Sequence, residues 1–309
     1  MRFYITLFVV LLSTTLFIVK SDQCRILVLS GGGAHGAYQA GVIKRLDEQG
    51  HKWDIITGIS VGSLNGVFIS GFSLKNQSLA TELLKSFWFD ISDHDVYTKN
   101  WNPIWSRSVY DNSPLNLTLH KVLNRINGIE RNVLVGSTRV NDGKLIVFNR
   151  TDMVLMNDIV DILMASTSIP VYFPPKEFKG SFYMDGGLFT NELIYPAVRT
   201  CRKQGLNDIV IDVIRCSTPL RNISSNTIAK DNIFKLAYRT YEIAGNTLFH
   251  HELYSACDTK KLVRIYPMYV YQPHSDFPGG LLNFNHDKVK FAYEMGYNTT
   301  KPIKIQWCH

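Results

Sequence analysis

The sequence predicts an α/β domain with a mostly parallel central sheet covered by helices on both faces. Three observations carry this. Short β-branched runs alternate with longer amphipathic segments, glycine clusters sit where strands give way to helices, and no internal repeat or Gly/Ser/Pro-rich linker divides the chain. The first unit shows the pattern: residues 26–30 (ILVLS) form an apolar run stopped by three glycines, and residues 37–49 place Val42, Ile43 and Leu46 at helical spacing before Gly50. Residues 53–59 read as a second strand, and 61–71 as a helix of small and apolar residues. Further strands are predicted over 132–138, 145–148, 209–214 and 262–266, and helices over 81–87, 154–165 and 233–252. Residues 87–114 read as an irregular loop, with Phe87, Trp88, Phe89, Trp101, Trp105 and Tyr110 set among Asp, Asn and Pro. Such a loop either offers an apolar contact surface or fills a small core of its own.

Composition limits the class. The 309 residues are 45% hydrophobic and 19% charged, which excludes a disordered, collagen-like or multi-span membrane protein. A net charge of +7 is modest and scattered, with no basic run carrying interleaved aromatics, so no nucleic-acid partner is predicted.

The N-terminus reads as a signal peptide over residues 1–21: Arg2 precedes an apolar run over 3–19, and Val-Lys-Ser at 19–21 resembles a cleavage site. The rival is an uncleaved anchor through residues 3–19. Cleavage is preferred because Arg25 leads at once into a strand, which would press an anchored domain against the lipid. Residues 22–309 then form one domain, secreted or lumenal in the secretory pathway. Glycosylation sequons at Asn76, Asn116, Asn149, Asn222 and Asn298 agree with export. Cysteines at 24, 201, 216, 257 and 308 show no metal-binding spacing; structural disulfides of undetermined connectivity and buried unbridged thiols both remain open.

Two glycine motifs carry the chemistry. Gly31-Gly32-Gly33-Ala34-His35-Gly36 contains GxGxxG between a strand and a helix, where backbone amides converge on negative charge. A dinucleotide site also needs an acid at the end of the second strand, yet Asp54 stands at its start and Ser60 at its end. The same amides of Gly31, Gly32 and Gly33 would serve either a pyrophosphate or the oxyanion of a tetrahedral intermediate. Gly58-Ile59-Ser60-Val61-Gly62 is a GxSxG sequence between strand and helix, the setting of a nucleophile elbow, in which Gly58 and Gly62 allow a sharp turn at Ser60.

A serine needs a base. His250, His251, His274 and His286 follow it, but none stands in a glycine-rich or strand-end context. Asp185-Gly186-Gly187, after the apolar run Phe182-Tyr183-Met184, resembles an acid presented at a strand end.

The ordered blocks GGGAHGAYQAGV, TGISVGSLNG, ASTSIPVYFPP and YMDGGLFTN resemble the patatin-like phospholipase family, and LLNFNHDKVKFAYEMGY is similar to a C-terminal helix of its bacterial members. The resemblance implies a three-layer αβα sandwich and a Ser-Asp dyad, with Ser60 as nucleophile, Asp185 as base and Gly31, Gly32 and Gly33 as the oxyanion hole. It implies a calcium-independent lipid acyl hydrolase with no cofactor and no metal. Its substrate would be a phospholipid or other lipid ester, met during transient contact with a membrane surface. An acyltransferase using the same acyl-enzyme, or an idle lipid-binding or storage protein on the same fold, are the alternatives. His35 stands where the family often has arginine or lysine; it reads as a structural loop residue whose charge depends on pH.

Overall fold

A computed structural model describes residues 23–102, 105–220, 222–231, 233–258 and 264–305. The expected signal peptide over 1–21 and Cys308 lie outside the described residues, as does the side chain of Cys257.

The first half of the chain alternates as its hydrophobic periods require. β1 (Gln23–Leu29), α1 (Gly36–Glu48), β2 (Ile55–Ile59), α2 (Val61–Ser70) and α3 (Gln77–Asp90) lead to a small hairpin of β3 (Thr98–Lys99) and β4 (Tyr110–Asp111). Then come α4 (Ser113–Leu123), β5 (Asn132–Arg139), β6 (Lys144–Asn149), α5 (Met156–Thr167), β7 (Lys176–Phe178) and β8 (Ser181–Asp185). The last part holds α6 (Ile194–Lys203), β9 (Asp208–Ile214), α7 (Ser225–Ile228), α8 (Ile233–Asp258), β10 (Arg264–Tyr271), α9 (His286–Tyr297) and β11 (Ile303–Ile305).

Nine described strands form one sheet in the order β11-β10-β9-β1-β2-β5-β8-β7, with β6 beside β5. Its centre, β10 through β5, is parallel, and antiparallel strands finish both sides. In β1 the side chains alternate between two cores. Leu27 and Leu29 join the cluster under α1, α2 and α3, while Cys24, Ile26 and Val28 join the one under α6 and α8. Each fully buried Leu or Ile contributes about 1.5–3 kcal/mol, so the period of two fixes the register of the strand between the helical layers. The mostly parallel sheet between helices is the predicted fold class.

A buried disulfide, Cys24–Cys201, ties the start of β1 to α6, and Cys216 is a buried free thiol. The structure corrects the aromatic segment. Residues 87–90 are the last turn of α3 rather than loop, because Ala80, Leu84, Phe87 and Trp88 share one buried face. Trp101 and Trp105, by contrast, stand out from the β3–β4 hairpin at 101% and 87% exposure.

Candidate active site

The parallel strands place their following loops at one edge, where α/β sheets build their sites. β1 delivers the glycine loop and β2 delivers Ser60. The register of β5 brings in Asp185: Gly136 pairs with Ile59 of β2, and the next residue, Ser137, pairs with Asp185 at the end of β8. The serine after Ile59 and the aspartate therefore meet over two consecutive residues of one strand.

Ser60 sits at φ 53°, a left-handed conformation that costs a non-glycine residue about 1–3 kcal/mol and makes this a strained turn. The turn is held from both sides. The Ser60 amide donates to Ser166 Oγ at 3.0 Å, Ser166 donates onward to the Gly136 carbonyl at 2.7 Å, and the Ser63 hydroxyl donates to the Ser60 carbonyl. Sequence reasoning gave Ser166 no role, although it lies in the quoted ASTSIP block. Glycine is required at 62, since a Cβ there would overlap the Leu29 and Ser30 carbonyls; one on Gly58 would meet Gly62 itself.

Asp185 is 3% exposed, and Gly186 and Gly187 turn the chain away in a short 3-10 helix. The Gly187 amide donates to Asp185 Oδ1 at 2.8 Å, while Oδ2 is buried without a hydrogen-bond partner. Burial pushes the carboxyl from 3.8 up to about 6, against the opposing pull of the adjacent Ser60 hydroxyl and the Gly187 amide. A carboxyl of raised basicity with one unengaged oxygen thus stands beside the Ser60 hydroxyl.

In the glycine loop the three amides differ. Gly31 donates to Asn191 Oδ1 at 3.1 Å and is already engaged. No protein acceptor takes the Gly32 or Gly33 amide among the described residues. A Cβ on Gly32 would overlap the Cys216 side chain, and Gly33, at φ 54°, would overlap the Leu281 carbonyl. His35 is buried and stacked on Phe277 at 4.2 Å, and desolvation lowers its pKa to about 4. It is therefore neutral at neutral pH, and it faces a cavity on the other side of the loop, beside Cys216 and Gly279.

Ser60 and Gly33 open into a narrow cleft whose walls are almost wholly apolar, among them Leu64, Phe87, Trp88, Leu115, Phe173 and Phe284. None of His250, His251, His274 and His286 lines it. His286 instead begins α9, with Nδ1 3.1 Å from the Phe89 carbonyl.

The model of the family described as patatin-like phospholipase matches residues 27–198, from β1 into α6, a span that holds the glycine loop, Ser60, Ser166 and Asp185. The chain belongs to the patatin-like phospholipase family. Relatives agree. A cGAMP-activated phospholipase of Escherichia coli (strain TW11681) is 26% identical over 204 residues, 57% of this chain and 55% of that protein. The probable lipid hydrolase 463L of Invertebrate iridescent virus 6 is 26% identical over 209 residues, 61% of this chain and 68% of that protein. The lysophospholipase NTE1 of Saccharomyces cerevisiae is 31% identical over 185 residues, covering 56% of this chain and 10% of that much longer protein. This patatin-like chain thus spans about half the length of the E. coli relative and a small fraction of the NTE1 lysophospholipases. VipD from Legionella pneumophila aligns at 13% identity with a TM-score of 0.42, over 90% of this chain and 66% of that one.

Proposed function

We propose that this patatin-like protein is a serine lipid acyl hydrolase of phospholipase A type, with Ser60 as nucleophile, Asp185 as general base and acid, and the Gly32 and Gly33 amides as oxyanion donors. The observation that carries the reading is the buried Asp185 carboxyl with an unpartnered oxygen, beside a strained serine at the mouth of an apolar cleft. Ser60 Oγ attacks the ester carbonyl carbon as its proton passes to Asp185, and the carbonyl electron pair moves onto oxygen between the loop amides. Collapse breaks the ester C–O bond, and the leaving alcohol takes the proton from Asp185. Water, losing its proton to the same carboxylate, attacks the acyl-serine; the fatty acid departs as that proton returns to Ser60 Oγ. Backbone amides carry the negative charge, so hydrolysis is expected to be calcium-independent.

The apolar cleft suits an acyl chain, and the phospholipase and lysophospholipase names of the relatives support a phospholipid or lysophospholipid ester. The test is mass-spectrometric product analysis on phospholipid micelles with a chelator present and, in a parallel sample, a lipid alcohol. Free fatty acid from the native protein and none from Ser60→Ala is the expected result. Equal product from both would overturn the reading, and acyl transfer to the alcohol in preference to water would make the protein an acyltransferase.

The pH dependence follows from the base. Asp185 must be ionised to accept the serine proton, and its carboxyl stands at about 6. Activity is therefore expected to be full above that pH and to fall about tenfold per pH unit below it. A kcat/KM profile with its acid limb near pH 4 would contradict this assignment.

The Cys24–Cys201 bridge and the exposed Asn76, Asn149, Asn222 and Asn298 support a secretory-pathway location, with residues 1–21 removed on export. Membrane contact is assigned to Trp101 and Trp105, since indole rings favour the lipid–water boundary and both are exposed. The hairpin bearing them leads through Tyr97 and Tyr110 to Phe173 in the cleft wall. Replacing both tryptophans by alanine is expected to weaken vesicle binding and hydrolysis of vesicle lipid about tenfold, leaving a short soluble ester within twofold. Equal loss on both substrates would mean that they only support the hairpin.

A further inference from the structure

The loop that carries the base also holds the loop that carries the oxyanion donors. Asn191 lies six residues beyond Asp185, is 5% exposed, and accepts the Gly31 amide from a position 160 residues away in sequence. On the other side of the same peptide plane, the Ser30 carbonyl accepts the Gln39 amide at 2.8 Å. In the next plane the Gly31 carbonyl accepts the Ser30 hydroxyl at 3.0 Å, so the trans peptide turns the Gly32 N–H the opposite way. Both peptide planes leading into the oxyanion donors are thus clamped by buried side chains.

A second tie runs parallel to the first. Glu192 accepts Arg215 Nε at 2.9 Å; the next residue, Cys216, donates its amide to Ser30 Oγ at 2.9 Å and packs where a Cβ on Gly32 would stand. Gln39 in turn accepts Asn65 Nδ2 at 2.9 Å, and Asn65 accepts the indole N–H of Trp88, a wall of the cleft.

We infer that Asn191 is a positioning residue: by holding the Gly31 amide it aims the Gly32 and Gly33 amides at the place where charge develops, and it fixes the distance between oxyanion donors and base. The inference rests on the Ser60–Asp185 reading above. Misaimed donors weaken only the transition state, because the ground-state carbonyl carries little charge, and the acyl chain is held elsewhere. The signature is therefore a loss in kcat without a loss in binding.

The experiment compares Asn191→Ala, Asn191→Ser and Asn191→Asp with the native enzyme and with Ser60→Ala, on one soluble ester. Each protein is also measured for its rate of capture by a fluorophosphonate and its affinity for oleic acid, a product mimic. Alanine, and serine with its shorter reach, are expected to lower kcat about 10- to 100-fold and slow phosphonylation in parallel, with KM and oleate affinity within twofold. Aspartate keeps an acceptor for the Gly31 amide and is expected to recover at least tenfold over alanine. Native kcat in the serine or alanine variant, or loss of oleate affinity in step with kcat, would overturn the positioning role. Hydrolysis by Ser60→Ala would instead sink the dyad reading, so the two failures are distinguishable.

Discussion

Ser60→Ala and Asp185→Asn are each expected to lower kcat/KM for a lipid ester by at least about 10³-fold, because in the proposed mechanism one removes the nucleophile and the other the proton acceptor. Neither should unfold the protein. For Asp185→Asn the stability effect has the opposite sign to the activity effect. In the native state the Asp185 carboxyl keeps its proton up to about pH 6, whereas in the unfolded chain it releases it near 3.8. The native state therefore binds more protons across that window, and stability falls as pH rises through it, with the loss complete above. An asparagine carries no charge to bury and can still accept the Gly187 amide. The variant should match the native protein near pH 3 and exceed it by up to about 3 kcal/mol at pH 8, since each pH unit between the two values corresponds to about 1.4 kcal/mol. Chemical denaturation at both pH values, beside steady-state kinetics, checks the pair of effects. An inactive variant that is less stable at pH 8 would assign Asp185 a structural role, and an active one would remove it as base.

The largest stability effect is expected at the disulfide. Cys24 and Cys201 lie 177 residues apart, and both are fully buried between β1 and α6. Opening a closed loop of that length restores conformational freedom to the unfolded chain. The Cys24→Ala/Cys201→Ala protein is expected to lose about 2–5 kcal/mol. For a chain of this size that lowers the melting temperature by roughly 3–8 °C. An unchanged midpoint would show that the packing of α6 against β1 holds without the bridge. Hydrolysis of a soluble ester at 25 °C should persist, because the bridge lies at the start of β1, opposite the loop that follows Leu29.

Much of the fold was legible because its signals are local. The glycines around Ser60 encode the turn itself, and the unbroken apolar run in ILVLS encodes a strand buried on both faces. Helices α4 and α6 were missed for a local reason as well. Each carries a proline, Pro114 and Pro196, in its first turn, where a missing N–H costs nothing although the residue ends helices elsewhere. The end of α3 is hidden in the sequence because Phe87 and Trp88 run directly into the aromatic segment, although they complete the buried face of the helix.

The site was legible only in part, and the division follows sequence separation. Ser60, Asp185 and the glycines each lie in a short motif. The engagement of Gly31 by Asn191, and of Ser60 by Ser166, joins residues 160 and 106 positions apart. No spacing within either segment records such a bond. Asn191 stood inside the quoted YMDGGLFTN block without a role, and only the fold supplies one. The same holds for Gln39 and Asn65, which look like ordinary polar residues on small-residue helices and are fully buried in a hydrogen-bonded chain behind the loop.

The most direct test of the account is where an active-site probe attaches. Native protein treated with a fluorophosphonate at pH 8, digested and sequenced by tandem mass spectrometry, should carry one adduct, on Ser60, formed in step with loss of lipid hydrolysis. Ser60→Ala should carry none. Complete inhibition with the adduct on another residue, or full hydrolysis by a protein whose Ser60 is quantitatively modified, would contradict it.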